Sequence, residues 1–217
     1  MAGDVLSFAL LSLSSIIIIV NPLGATLMYV SLTTTLDRPA REGIAKDACR
    51  FALLILLFVA VLGAWILQLF GIGLEAFRIA GGILLFGIGM EMVYAKTSRT
   101  NLTATEKYES REPDDVSIMP LAIPMIAGPG AITTTIVLMN EAVVITPLAI
   151  GIVFFSIVVS IVITYFMMRN SDYIMSKIGQ REYRAINRLM GMLLIAIAVQ
   201  FVINGIKMAF PLFAGGQ

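Results

Sequence analysis

Residues 5–36 read VLSFALLSLSSIIIIVNPLGATLMYVSLTTTL, a run of 32 residues without Asp, Glu, Lys or Arg. As one α-helix the run would be about 48 Å long, whereas the hydrocarbon core of a bilayer is only about 30 Å thick. The motif NPLGA, residues 21–25, stands near its middle. Proline disfavours helical geometry in the residue before it and suits the first position of a new helix, and asparagine is a good N-cap. The run therefore predicts a membrane span that is broken after Val20.

Five further stretches of the chain are apolar and almost free of charge. They are residues 51–70, 79–95 with Glu91 as their one acid, 116–140, 142–168 and 189–206. The composition agrees, since 59% of the 217 residues are hydrophobic, 13% are charged and the mean hydropathy is +0.93. The period-two alternation of a membrane β-barrel is absent. We expect an all-α membrane protein with six transmembrane helices.

The basic residues are divided unequally between the two sides that six spans define. Of the 15 Lys and Arg residues, only Arg78 and Lys207 fall on one side. Lys and Arg concentrate in cytoplasmic loops, so the other side is predicted to be cytoplasmic. We expect a multi-pass protein of the cell membrane (plasma or inner) with both termini outside. A polar cytoplasmic loop at 97–115 would separate residues 1–96 from residues 116–217.

The two parts of the chain have corresponding features. Three spans in each part place the second part upside down relative to the first. The sequence RIAGGIL at 78–84, in the third span, aligns without gaps with RLMGMLL at 188–194, in the sixth. The motif GPGA at 128–131 lies within the fourth span much as NPLGA lies within the first. These features predict two inverted three-helix repeats, with the first and fourth helices broken near the bilayer midplane.

The two breaks form the candidate substrate site. A helix N-terminus carries unpaired N–H groups and the positive end of the helix dipole, which together favour a carboxylate or a phosphate. The carbonyl groups that end the preceding half-helices could accept from a cation such as an ammonium group. Two hydroxyls farther along, those of Thr134 and Thr135, would either line the site or bond back to helix carbonyls. The predicted substrate-binding residues are Asn21, Gly24, Ala25, Thr26, Gly128, Gly130, Ala131 and Thr133, with Pro22 and Pro129 as the helix-breaking residues.

Other residues have weaker interpretations. Glu91 is the one acid inside a predicted span, which makes it a candidate for proton coupling, although it lies close enough to the cytoplasmic surface to reach water. Arg78 and Arg188 are interpreted as anchors at helix ends. A stripe of small residues is typical of close helix packing; it comprises Gly81, Gly82, Gly87 and Gly89.

Several function classes are incompatible with the composition. The chain has no His, which excludes imidazole catalysis, and its single Cys, Cys49, excludes an internal disulfide and a multi-thiolate metal cluster. We expect no enzymatic activity, no cofactor, no bound metal and no nucleic-acid partner. The sequence leaves an oligomer open.

These motifs resemble the MarC family of integral membrane proteins. The resemblance rests on NPLG at 21–24, on AGPGAI at 127–132 and on the start of the third span, and it covers nearly the whole chain. It implies a secondary transporter and, in the SnatA-like branch, proton-driven transport of small neutral amino acids such as glycine and alanine. The partners would then be that amino acid, protons and the lipid bilayer. An ion or metal export channel and a drug efflux carrier are the alternatives.

Overall fold

The structure, a computed structural model, describes residues 2–94 and 117–210, apart from the side chains of residues 2–4 and 180. The predicted loop at 97–115 lies outside the described residues. Within these ranges the regular structure is helical throughout. The helices are α1 (Ala2–Val20), α2 (Pro22–Thr33), α3 (Arg38–Leu69), α4 (Leu74–Tyr94), α5 (Pro129–Ile145), α6 (Pro147–Arg169), α7 (Ser171–Lys177) and α8 (Gln180–Ala209).

The helices supply up to six candidate membrane spans. Five are Val5–Thr33, Arg38–Leu69, Leu74–Tyr94, Pro147–Arg169 and Arg181–Ala209. A sixth is obtained when Ser117–Ile126 and Pro129–Ile145, which meet at an angle of 52°, are counted as one span. The prediction of an all-α membrane protein is confirmed for the described residues.

A helix boundary interrupts the first span at Asn21. Helix α1 ends at Val20, Asn21 has left-handed dihedral angles (φ 49°, ψ 67°), and α2 begins at Pro22. The Asn21 Oδ1 atom accepts a hydrogen bond from the Gly24 N–H at 3.2 Å. Asparagine adopts left-handed geometry more readily than most residues because its short polar side chain bonds locally. The sequence NPLG therefore provides both the turn and the cap.

The fourth span differs from the regular pair of half-helices that we expected. In Ser117–Ile126 the backbone of Met119 (φ −121°, ψ 125°) and Ile123 (φ −128°, ψ 127°) is extended. Each of the two residues directly precedes a proline, Pro120 or Pro124, whose ring clashes with helical geometry at the preceding position. The segment that leads into the second break is therefore irregular, and a regular α-helix begins only at Pro129.

Several helices extend beyond the charge-free stretches that predicted them. Helix α3 begins at Arg38 rather than near residue 51, and α8 begins at Gln180 rather than near residue 189. Glu141, taken as a boundary in the sequence, lies inside α5, and the boundary is Thr146, whose Oγ1 accepts from the Ala149 N–H at 3.2 Å. Charges can continue a helix where they reach water or a partner, so an uncharged stretch locates a span without fixing its ends.

Helix α5 occupies the centre of the bundle. Its residues 133–139 are all buried, and it packs against α1, α3, α4 and α6. Helices α4 and α8 pack along each other, with Gly82 facing Ala198 and Gly89 facing Gly191. The small-residue stripe is thus a packing surface at these positions. Two members differ, because Gly81 faces Thr133 of α5 and a Cβ on Gly87 would meet no atom within 4 Å.

Candidate functional site

The two breaks lie next to each other, and each packs against the chain that leads into the other. A Cβ atom built on Gly130, in the first turn of α5, would lie 3.5 Å from Cγ2 of Ile19, which precedes the first break. A Cβ atom built on Gly24, in the first turn of α2, would lie 3.2 Å from Cε of Met125, which precedes the second break. The structure therefore brings the predicted residues of α2 and α5 into one region.

Most of the predicted site residues are buried in this region, but two are not. Asn21 is half-buried and Pro129 is exposed. The buried residues are Pro22, Gly24, Ala25, Thr26, Gly128, Gly130, Ala131 and Thr133.

The starts of α2 and α5 differ in how their N–H groups are satisfied. At α2 the Asn21 side chain occupies the Gly24 N–H. At α5 the N-cap residue is Gly128, which has no side chain, and no side chain in the described residues caps this end. Helix N-termini leave several N–H groups without a partner inside the helix. The N–H groups of Gly130 and Ala131, in the first turn of α5, have no partner within the helix and no side-chain cap among the described residues, so they could bind an anionic group.

The threonine hydroxyls of the two helices also differ. Thr26 in α2 donates to the Pro22 carbonyl at 2.7 Å, so its proton is already used. In α5, Thr134 and Thr135 are 0% and 1% exposed, and neither Oγ1 atom has a hydrogen-bond partner in the described part of the chain. Thr133 packs its methyl group against Gly81. The sequence left the choice between the site and the helix carbonyls open for Thr134 and Thr135, and the structure shows that they do not bond back to the helix.

Glu91 does not join the other predicted residues. It lies on the exposed side of α4. Two α4 residues lie near a Cβ built on Gly130, Leu85 at 2.7 Å and Ile88 at 3.5 Å, and Glu91 follows them by about 9 Å and about 4.5 Å of helix rise. The role of Glu91 in proton coupling stays a prediction.

Sequence reasoning missed a buried ion pair between α4 and α5. The Nη2 atom of Arg78 donates to Oε1 of Glu141 at 2.7 Å, and the Arg78 side chain is only 7% exposed. The interpretation of Arg78 as an anchor that reaches the membrane surface is therefore wrong. The available signal was Glu141 itself, the one acid between residues 116 and 171.

A second polar cluster lies around Arg41 at the start of α3. Its Nη2 atom is 3.0 Å from Oδ1 of Asp172 and donates to Oγ of Ser171 at 3.2 Å. The Tyr29 hydroxyl of α2 donates to the Arg41 carbonyl oxygen at 2.8 Å, and the Arg41 guanidinium carbon lies 5.7 Å from the Tyr29 ring centroid. The cluster connects α2, α3 and α7.

Comparison with known proteins assigns the chain to a family. Residues 6–210 match the family described as MarC family integral membrane protein. The chain belongs to the MarC family. The UPF0056 membrane protein MJ1677 of Methanocaldococcus jannaschii is 40% identical over 93% of this chain and 97% of that protein.

Bacterial members of the MarC family are similar as well. The UPF0056 membrane protein YvbG of Bacillus subtilis is 37% identical over 91% of this chain and 93% of the relative. The UPF0056 membrane protein YhcE of Escherichia coli is 35% identical over 89% of this chain and 89% of that protein. No solved structure matches the chain. Family membership shows an integral membrane protein and supports a transporter-like role, and the names of these relatives state no substrate.

Proposed function

We propose that this MarC family protein is a secondary transporter of small neutral amino acids such as glycine and alanine. The observation that carries the proposal is the uncapped start of α5, which lies beside the break between α1 and α2 in the protein interior. Within a bilayer, irregular backbone is tolerated where it is buried in protein or lines a cavity, and in transporters such broken helices form substrate sites. The buried hydroxyls of Thr134 and Thr135, which have no hydrogen-bond partner in the part of the chain that the structure describes, add polar groups to the same helix.

The chemistry of a zwitterionic amino acid matches this region. Its carboxylate would accept from the N–H groups of Gly130 and Ala131, where the α5 dipole is positive. Its ammonium group would donate to the Asn21 side chain or to the carbonyls near Val20 and Ala127. Atoms lie close to the Cα atoms of Gly24 and Gly130, which leaves little room beside them. The close packing supports a preference for a small side chain, which the resemblance to SnatA-like proteins also implies.

The packing of the helices supports an inverted repeat. If the first and second parts of the chain correspond, α1 with α2 matches Ser117–Ile126 with α5, α3 matches α6, and α4 matches α8. Helix α1 packs on α6, as Ser117–Ile126 packs on α3, and α2 packs on α6, as α5 packs on α3. These are the pairs that a pseudo-twofold axis would exchange. We propose that the two halves move relative to each other around the paired breaks, which gives alternating access.

The coupling ion and the membrane orientation belong to the same proposal. A proton gradient would drive transport, with Glu91 as the candidate proton carrier. The side that holds most of the Lys and Arg residues would be cytoplasmic, with both termini outside a plasma or inner membrane.

The proposal is tested first by binding and then by flux. In a thermal-shift screen of the twenty amino acids on the purified full-length protein, glycine or alanine should raise the unfolding temperature, because a ligand of the folded state stabilises it. In proteoliposomes, an imposed proton gradient should drive accumulation or release of the labelled amino acid. Asn21→Ala and Gly130→Leu should abolish binding in protein that still inserts and folds. Because a Cβ on Gly130 would lie 2.7 Å from Leu85 Cδ2, size-exclusion chromatography of the Gly130→Leu protein must first show a folded, monodisperse species.

The outcomes separate the three candidate functions. Normal amino-acid affinity in both variants would remove the breaks as the site. A wild-type protein that binds no amino acid but moves a metal ion, or an ethidium-type drug, would replace the proposal with the channel or the efflux carrier.

A further inference from the structure

Between residues 2–94 and residues 117–210, the structure shows ion pairs at two places. The first joins Arg78 of α4 to Glu141 of α5 at 2.7 Å, and we call it the α4–α5 pair. The second joins Arg41 of α3 to Asp172 of α7 at 3.0 Å, and we call it the α3–α7 pair. They differ from Arg38–Glu42, an ion pair that lies within α3.

The two pairs lie at opposite faces of the bundle. Arg41 is in the first turn of α3, which crosses the membrane before α4 begins, and Arg78 is in the second turn of α4. The α3–α7 pair is therefore on the face that holds most of the Lys and Arg residues, which we call the basic face. The α4–α5 pair is on the opposite face, where α5 approaches its end at Ile145.

The α4–α5 pair holds the far end of one of the two helices that start at the breaks, and the backbone of Arg41, beside the α3–α7 pair, holds the other. Helix α5 runs from the candidate site to the opposite face and is tied there through Glu141. Helix α2 runs from the candidate site to the basic face, where its Tyr29 hydroxyl donates to the Arg41 carbonyl. The side chains of the α4–α5 pair are 7% exposed for Arg78 and 27% for Glu141, whereas in the α3–α7 pair Arg41 is 19% and Asp172 79% exposed. Loss of Glu141 would leave the shielded charge of Arg78 uncompensated, while the α3–α7 pair is open to water on its acidic side and is the weaker contact.

We propose that these two ion pairs are the gates of the transport cycle. The α4–α5 pair closes the route from the site to the opposite face, and the α3–α7 pair with Tyr29 closes the route to the basic face. Opening one pair frees one helix end while the other pair keeps the second route closed. This inference rests on the proposed function, because it assigns a side to each step of alternating access.

The test measures from which face the site can be reached. Cys49→Ala removes the single native thiol, and Thr134→Cys then places a reporter thiol at a buried position in α5. Sealed vesicles of both orientations are treated with a membrane-impermeant maleimide. Glu141→Gln should raise the labelling rate from the opposite face about tenfold and leave labelling from the basic face unchanged, which corresponds to a shift of about 1.4 kcal/mol in the population of the open state. Asp172→Asn should raise labelling from the basic face alone, and by less than tenfold, because the Asp172 side chain is 79% exposed.

Matched variants control for loss of charge and for misfolding. Glu42→Gln removes a carboxylate from the pair within α3 and should change labelling from neither face. Gly43→Cys, at an exposed position with no atom within 4 Å of the added Cβ, marks the basic face in each preparation. If Glu141→Gln fails to fold, the exchange Arg78→Glu with Glu141→Arg should restore the ion pair and the low labelling rate.

The results distinguish this inference from the proposed function, because labelling requires no substrate. Faster maleimide labelling from the predicted faces, in a protein that shows no amino-acid flux, would support the gates and refute the substrate assignment. Equal changes from both faces, or no change in either variant while protein with Thr134 intact takes up glycine normally, would overturn the gates and leave the substrate assignment standing.

Discussion

Thr134→Val should stabilise the protein and at the same time weaken substrate binding. Valine has nearly the shape of threonine and replaces the hydroxyl with a methyl group. The Thr134 side chain is 0% exposed, and its Oγ1 has no partner among the described residues. A buried polar group without a hydrogen bond costs about 1–3 kcal/mol, so its removal should raise the free energy of unfolding by roughly 1–2 kcal/mol. For a chain of this length, each kcal/mol shifts the unfolding temperature by about 2–4 °C.

Thr164→Val is the matched control for this prediction. Thr164 is also 0% exposed and lies in a membrane-spanning helix, but its hydroxyl donates to the Ser160 carbonyl at 2.8 Å. The same chemical change there removes a hydrogen bond that is made, and it should lower the free energy of unfolding by about 0.5–1.5 kcal/mol. The two substitutions should therefore move the stability in opposite directions.

The assay is thermal unfolding of each full-length variant in detergent, with and without the amino acid found in the screen. The Thr134→Val protein should unfold at a higher temperature than the wild type and should show a smaller ligand-induced shift. If the hydroxyl donates to the ligand carboxylate, its loss should weaken binding by about 1.5–3 kcal/mol, or roughly 10- to 150-fold. A decrease in stability equal to that of Thr164→Val would refute the reasoning, because it would show that the Thr134 hydroxyl is paired in the native protein.

The remaining predictions concern the backbone of the breaks and the packing of α4. Gly81→Ala should lower the free energy of unfolding by about 1–3 kcal/mol, because the added Cβ meets the Thr133 methyl group. Gly87→Ala, whose Cβ meets no atom within 4 Å, should leave the free energy of unfolding unchanged or raise it by up to about 1 kcal/mol. Denaturant titration of both variants measures the difference. Asn21→Gly should lower the free energy of unfolding by only a few tenths of a kcal/mol. Asn21→Ala should lower it by about 1–2 kcal/mol, because alanine is strained at φ 49°. Equal unfolding temperatures of the two variants would show that the left-handed turn does not contribute to stability. Gly128→Ala should reduce folded yield in a detergent size-exclusion assay because its Cβ would meet the Pro124 carbonyl, and a monodisperse peak at wild-type yield would argue against this close approach.

Much of the fold could be predicted from sequence because a bilayer makes local composition decisive. Backbone polar groups in hydrocarbon must be satisfied within the segment, so a long apolar stretch is a helix almost without regard to its neighbours. The boundary at Asn21 was equally local, since NPLG contains its own turn, cap and first helical residue. Ser117–Ile126 was predicted less well, although Pro120 and Pro124 are visible in the sequence. The prediction relied on the GPGA motif at 128–131 and did not use Pro120 and Pro124, which make the backbone before the break irregular.

The sequence by itself determined the class of protein and the approximate positions of the candidate membrane spans, because these depend on residues within a few turns of one another. Only the tertiary structure decided which polar groups remain available. It shows Asn21 bonded to its own helix, Thr134 and Thr135 without a hydrogen-bond partner within residues 2–94 and 117–210, and Ile19 beside Gly130. It also pairs Arg78 with Glu141, 63 residues away, and Arg41 with Asp172, 131 residues away. Such pairings depend on which helices become neighbours, and that choice is made by packing along whole helix surfaces rather than by any short motif.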